Sequence, residues 1–316
     1  MAKCFSITAT RDSCFRYSFA TAGLKSVTTD LGSGTFMHCW VPKTPKEHKP
    51  NLLLIHGIGA NAMWQWNDFI SKLVPSFNVY VPDLLFFGDS YTSQPDRTEA
   101  FQARCVMGTV LAHGVKRVSV VGLSYGGFVG YSMAAQFPEA VERVVLGCAG
   151  VCMEERDMEE GMFEVKSVEE ACEILLAQTP EKMRELMRIT FYKPAQKVPS
   201  CFLNDFIDVM CTEYIQERKE LIKALHKDRK LSDLPKITQP ILLIWGEHDR
   251  VFPVELAHRL KSHLGENAEL VIFKNAGHAI NVEKPKELFK HMKSFLLDTP
   301  LPPQKHEING ISRKVD

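Results

Sequence analysis

The chain has no run of about 18 consecutive apolar residues anywhere in its 316 positions, so the sequence offers no transmembrane helix. It also lacks an excess of either charge: 38 Lys plus Arg stand against 38 Asp plus Glu, for a formal net charge of zero. The basic footprint of a nucleic-acid binder is therefore missing. No Cys-x-x-Cys occurs, and the scattered Cys and His residues form no zinc-finger motif, so no metal site is expected. The nine cysteines are odd in number and scattered. They read as free thiols in a reducing compartment rather than a disulfide framework. No repeat at solenoid spacing is visible, and no secretory apolar core opens the chain. With 45% hydrophobic and 24% charged residues, wholesale disorder is excluded.

What is present suits one large α/β domain, with or without an inserted subdomain. Residues 1–29 hold a single acid, Asp12, against Lys3, Arg11, Arg16 and Lys25, with many Ser, Thr and Phe. Two readings fit. One is an amphipathic N-terminal helix with Cys14, Phe15 and Phe19 turned inward, in a cytoplasmic protein. The other is a transit peptide, which would place the protein in a chloroplast. From residue 50, continuous apolar runs alternate with helix-length segments: Leu52–His56, Val79–Pro82, Val118–Gly122, Val144–Cys148, Ile241–Gly246 and Leu270–Phe273. Unbroken Val/Ile/Leu runs fit parallel strands buried on both faces, and the alternation predicts a mostly parallel, doubly wound sheet.

The rhythm stops over 151–236. This stretch is charged and helical in pattern, with a helix start at Thr179-Pro180. It carries six of the twelve methionines beside Phe163, Phe191, Tyr192, Phe202 and Phe206. It reads as a helical cap inserted into a sheet domain made of 30–150 and 237–298. Its acidic run Glu154, Glu155, Asp157, Glu159 and Glu160 is expected on a solvated face. The Pro-rich, polar residues 299–316 are expected to be disordered.

The sharpest motif is Gly122-Leu-Ser-Tyr-Gly126, at the end of one apolar run and the start of a helix. Such a strand-to-helix turn is too tight for side chains at the flanking positions and pushes the Ser124 hydroxyl out above the sheet. A serine hydroxyl is a weak nucleophile unless a base takes its proton and a third group orients that base. Asp249, on the loop after Ile241–Gly246, and His278, on the loop after the last run, follow in the chain order expected of such a triad. Glu247 and His248 are rivals on the same loop. The amides of Ile58, in His56-Gly-Ile-Gly59, and of Tyr125 are the expected donors to a developing oxyanion.

Four motifs in order, His56-Gly-Ile-Gly59, Gly122-Leu-Ser-Tyr-Gly126, Gly246-Glu-His-Asp249 and Gly277-His278, resemble those of the α/β-hydrolase superfamily. The resemblance spans roughly residues 30–298. The wording around Ser124 and in Pro82-Asp-Leu-Leu-Phe-Phe-Gly-Asp-Ser90 is similar to a plant subgroup of capped serine hydrolases, akin to monoacylglycerol lipases and meta-cleavage-product hydrolases. The resemblance implies an α/β-hydrolase fold with an inserted helical cap, and hydrolysis of a small lipidic ester through an acyl-serine without a cofactor. C–C bond hydrolysis, and a ligand-binding receptor of the same fold with slow turnover, stand as alternatives. One departure stands out: Phe86 occupies a position where many members carry Gly. Phe86 could pack the core or grease a pocket mouth. Phe163, Phe191 and Phe206 are further candidates for a substrate pocket. The expected partner is a small-molecule ester; peripheral membrane contact and oligomeric state are open.

Overall fold

The computed structural model of the protein describes residues 6–299. The chain begins with helix α1 (Ile7–Thr21), followed by strands β1 (Leu24–Gly32), β2 (Thr35–Pro42) and β3 (Asn51–Ile55). Then come α2 (Ala62–Leu73), β4 (Asn78–Pro82), the two-residue β5 (Tyr91–Thr92) and α3 (Glu99–Ala112). After β6 (Val118–Leu123), α4 (Tyr125–Gln136) and β7 (Val141–Gly147), the chain leaves the sheet. It makes five helices, α5 (Glu155–Glu159), α6 (Val168–Leu175), α7 (Pro180–Thr190), α8 (Ser200–Met210) and α9 (Ile215–His226). It re-enters with β8 (Ile241–Gly246), α10 (Val254–Leu264), β9 (Ala268–Phe273), α11 (Ile280–Glu283) and α12 (Pro285–Asp298).

The sheet order is β1-β2-β4-β3-β6-β7-β8-β9, with β5 on the side of β2. The pairs β1–β2 and β2–β4 are antiparallel, and every pair from β4 to β9 is parallel. This is the α/β-hydrolase fold. The unbroken apolar runs explain it: β6 and β8 are buried at every position, as strands covered by helices on both faces must be. Order reverses beside β3 and β6, so the loops at their C-terminal ends open a crevice where such sheets bind ligands.

β7 and β8 lie side by side although 93 residues, described as helices and loops, intervene between Gly147 and Ile241; side chains of this segment share a cavity wall with Leu123, Ser124 and Gly147 at the C-terminal ends of β6 and β7. The helices have a small core of their own, with Met183, Leu203 and Ile207 buried together. Polar anchors tie them down. Arg218 is buried on α9, donates to the Phe86 carbonyl at 2.7 Å and lies 4.4 Å over the Phe87 ring. Arg229 holds Glu99 at 2.7 Å. Asp157 departs from the expected solvated face. It is 1% exposed and takes a two-pronged bond from Arg259 on α10, because a buried carboxylate needs a fitted cation.

Two further departures concern the N-terminal third. Residues 24–32 form a strand absent from the sequence reading, since beyond the buried Leu24 this edge strand alternates half-buried and exposed positions and has too few apolar side chains to register as a run. On α1, Phe19 is buried and Phe15 half-buried, whereas Cys14 points to solvent. α1 is stitched to both layers: Asp12 accepts from Trp64 Nε1 at 2.9 Å, and the Thr8 amide donates to Asp205 of α8 at 2.8 Å. The expectation of disorder over 299–316 falls almost wholly outside the described residues. No helix among the described residues is long and apolar enough to cross a membrane.

Candidate active site

Ser124 sits between β6 and α4 at φ 54°, ψ −125°. A left-handed serine is strained by roughly 1–3 kcal/mol and persists only where its surroundings enforce it. Here the enforcement is steric. A Cβ on Gly122 would overlap the Gly126 carbonyl, and one on Gly126 would overlap the Ile55 and His56 carbonyls. The turn therefore closes only with glycine at both places, and it leaves the serine side chain at the crest.

Ser124 Oγ lies 2.9 Å from His278 Nε2, and His278 Nδ1 lies 2.9 Å from Asp249 Oδ2. Asp249 is 5% exposed and keeps its other oxygen on the amides of Val251 and Phe252, both at 2.9 Å. An ionised, acceptor-only carboxylate in that setting fixes the proton of His278 on Nδ1 and leaves Nε2 to accept from the serine. The arrangement can pass a proton from Oγ to the imidazole as Oγ attacks an electrophilic carbon. The rivals do not join it. Glu247 is exposed and takes the Asn275 amide, and His248 stacks on Tyr192 at 4.5 Å. One neighbour goes unnoticed in the sequence: the Cys148 thiol lies within 4.8 Å of both His278 and Asp249. Burial and the Asp249 charge push that thiol well above its usual range, so it stays protonated. No spacing signal marks it, because it reaches the site from the end of another strand.

The 56–59 turn faces the same serine. His56 is fully buried, and burial pushes its pKa down, so it is a neutral imidazole. Its Nε2 accepts the Leu84 amide at 2.9 Å, so Nδ1 carries the proton and donates to the Gly57 carbonyl at 2.7 Å. Gln65 Oε1 accepts the Gly57 amide at 2.9 Å. With no cis bonds among the described residues, holding the Gly57 carbonyl turns the Ile58 N–H the opposite way. Neither that N–H nor the Tyr125 N–H has a hydrogen-bond partner among the described residues.

Above Ser124 and His278 lies a cavity of about 480 Å³. Its wall is dominated by Met, Leu, Ile, Val and Phe from the helices and loops between β7 and β8; Phe163, Phe191 and Phe206 are all in it. Trp64 joins the wall from α2 and meets Phe206 edge-on at 5.5 Å. Phe86 corrects the pocket reading. It is 2% exposed, lies against Tyr214 and beneath Arg97 at 4.6 Å, and does not line the cavity. Its φ of 73° explains why glycine suits this position; the ring is turned into the core and held there by packing.

The family model for the alpha/beta hydrolase family matches residues 52–291. Mouse (Mus musculus) monoacylglycerol lipase ABHD6 is 26% identical over 271 residues, covering 83% of this chain and 80% of that one. Among solved structures, a putative lipase (lip1) from Acinetobacter baumannii AYE superposes with a TM-score of 0.79 at 25% identity, covering 94% of this chain and 98% of that one. The 2-hydroxy-6-oxo-6-phenylhexa-2,4-dienoate hydrolase of Rhodococcus sp. strain RHA1 gives a TM-score of 0.69 at 20% identity, covering 86% and 99%, a likeness of fold alone. The matched span contains the serine turn, the Asp249 loop and the His278 loop, and it covers most of the chain: this protein belongs to the alpha/beta hydrolase family.

Proposed function

We propose that the protein is a serine hydrolase that cleaves the carboxylic ester of a small lipid, of the monoacylglycerol type, through an acyl-Ser124 intermediate. The observation that carries this reading is the Ser124–His278–Asp249 line, with links of 2.9 Å and 2.9 Å, opening on a cavity walled by apolar side chains. His278 takes the Ser124 proton as Oγ attacks the ester carbonyl. The Ile58 and Tyr125 N–H groups receive the oxyanion. His278 then gives the proton to the departing alcohol. Water repeats the sequence on the acyl-enzyme, with His278 again as base. The similarity to the mouse monoacylglycerol lipase supports the lipidic alcohol ester over other carbonyl substrates.

Apolar lining favours longer acyl chains, because each buried methylene contributes about 0.8 kcal/mol. The test is a panel of esters with one alcohol and acyl chains from acetyl to dodecanoyl. Medium chains should exceed acetyl in kcat/KM by tens of fold. Acetyl esters turned over best would contradict the lipidic reading. Trimming Phe163, Phe191 or Phe206 to Ala should lower the octanoyl-to-acetyl ratio by about tenfold, the equivalent of roughly two methylenes of contact. If those variants keep the parental ratio and only melt earlier, the rings are packing and not pocket.

Gln65 supports the same step without touching the substrate carbonyl. By holding the Gly57 amide it fixes the turn that presents Ile58. Removing an oxyanion donor outright costs about 10² to 10³ in kcat, so loosening one should cost less. Gln65→Leu is expected to lower kcat by about tenfold to a hundredfold, with a smaller change in KM. Gln65→Glu, which keeps an acceptor for the Gly57 amide, should recover most of the loss. Steady-state kinetics of the two variants check this; equal losses in both would detach Gln65 from the turn.

A further inference from the structure

A second serine, outside the cavity lining, carries the same proton geometry. Ser26 lies exposed on β1, and its Oγ is 2.8 Å from His38 Nε2 on β2. His38 Nδ1 is 2.7 Å from Asp83 Oδ2. His38 and Asp83 are 2% and 4% exposed, so the imidazole and the carboxylate are shielded and only the serine end meets solvent. Asp83 keeps its other oxygen on the Ala62 amide at 2.8 Å. The backbone N–H of His38 is also pinned, by Ser90 Oγ at 2.8 Å. The logic of tautomers is the one that applies at His278. An acceptor-only carboxylate holds the proton on Nδ1, Nε2 is left as the acceptor, and the serine O–H must donate to it. Burial lowers the number of ways the ring can turn, and the edge of Trp40 packs at 6.0 Å beside it.

We infer that Ser26 is a second activated hydroxyl, a modification site for acylating and phosphonylating electrophiles. Activation is the part of serine chemistry that the His–Asp pair supplies. The other parts are absent at Ser26. It lies within a regular strand, not on a strained turn, and it does not line the cavity. Modification is therefore slow and ends in a stable adduct. With a fluorophosphonate, Ser26 Oγ attacks phosphorus, the O–P bond forms as the P–F bond breaks, and fluoride leaves with the bonding pair. The serine proton passes to His38 Nε2 and from there to solvent. With an activated acyl donor such as a thioester, the C–S bond breaks in the same way. The thiolate leaves and takes up the proton from His38.

The experiment uses the full chain carrying Ser124→Ala, so that the cavity serine cannot consume the reagent. The protein is incubated with excess fluorophosphonate, and the adduct is followed by intact mass and mapped by peptide sequencing. The expected result is one adduct per chain on the Ser26 peptide, formed at least tenfold faster than on other exposed serines such as Ser93. Ser124→Ala with Ser26→Ala should take up no label on that time scale. Adding His38→Gln instead should slow Ser26 labelling at least tenfold, with melting measured alongside. If His38→Gln does not fold, the comparison among serines in the folded Ser124→Ala chain decides alone. Absence of an adduct, or a spread over surface serines with no preference for Ser26, overturns the inference.

Discussion

Ser124→Ala should lower kcat for a medium-chain ester by about six orders of magnitude, the scale on which losing a triad nucleophile acts in serine hydrolases. The size of the effect follows from the turn. Only position 124 projects a hydroxyl at the crest, where His278 Nε2 stands 2.9 Å away. Alanine fills the same backbone seat without new contacts, so the strained turn keeps its shape and melting should change little. Under the proposed mechanism, any remaining turnover comes from binding and from the Ile58 and Tyr125 N–H groups stabilising the oxyanion that forms when water attacks the carbonyl directly. Ester kinetics of the purified variant, with its melting curve, check both halves. A loss of less than about tenfold would move the nucleophile elsewhere.

Asp249→Asn should cost about 10⁴ in kcat while leaving the fold intact. The amides of Val251 and Phe252 donate to the side-chain oxygen, so an Asn there keeps its oxygen toward them and turns its NH₂ to His278. An NH₂ can only donate, so His278 must offer a lone pair on Nδ1 and carry its proton on Nε2. That nitrogen can then no longer accept from Ser124. Glu247→Gln is the control, because the Glu247 side chain is exposed and accepts the Asn275 amide rather than the His278 ring, a bond that a Gln oxygen can keep. It should stay within about threefold of the parent, since surface substitutions away from structural features act weakly. Crippling by Glu247→Gln with a mild Asp249→Asn would reverse the roles.

Much of the sheet is legible in the sequence because its strands are buried on both faces and so read as unbroken apolar runs. β6, β8 and the run at Leu52–Ile55 are of this kind. β1 is not: at the sheet edge its side chains alternate between protein and water, and Ser, Thr and Lys hide the pattern. Ser124 announces itself through its glycines, whose spacing follows from steric overlap across the turn. Asp249 and His278 are separated by 28 intervening residues and meet only because β8 and β9 are adjacent and parallel. Chain order suggests them; the distances bring them together. Phe86 and Asp157 were open to the wrong environment for a shared reason. Whether a ring or a carboxylate is buried depends on a partner remote in sequence, here Tyr214 and Arg97 for one and Arg259 for the other. Cys148, Gln65 and the Ser26–His38–Asp83 line are of the same class, contacts without a local motif.

The central claim is that Ser124 forms the covalent bond to the acyl group. Its most direct test is brief labelling of the unmodified chain with one equivalent of a fluorophosphonate bearing an alkyl tail. Aliquots are assayed for ester hydrolysis and mapped by mass spectrometry at matched times. The account predicts a single adduct on the peptide containing Ser124, with activity falling in proportion to its formation. Full loss of activity with the label on another residue, or full labelling of Ser124 with activity untouched, would contradict it.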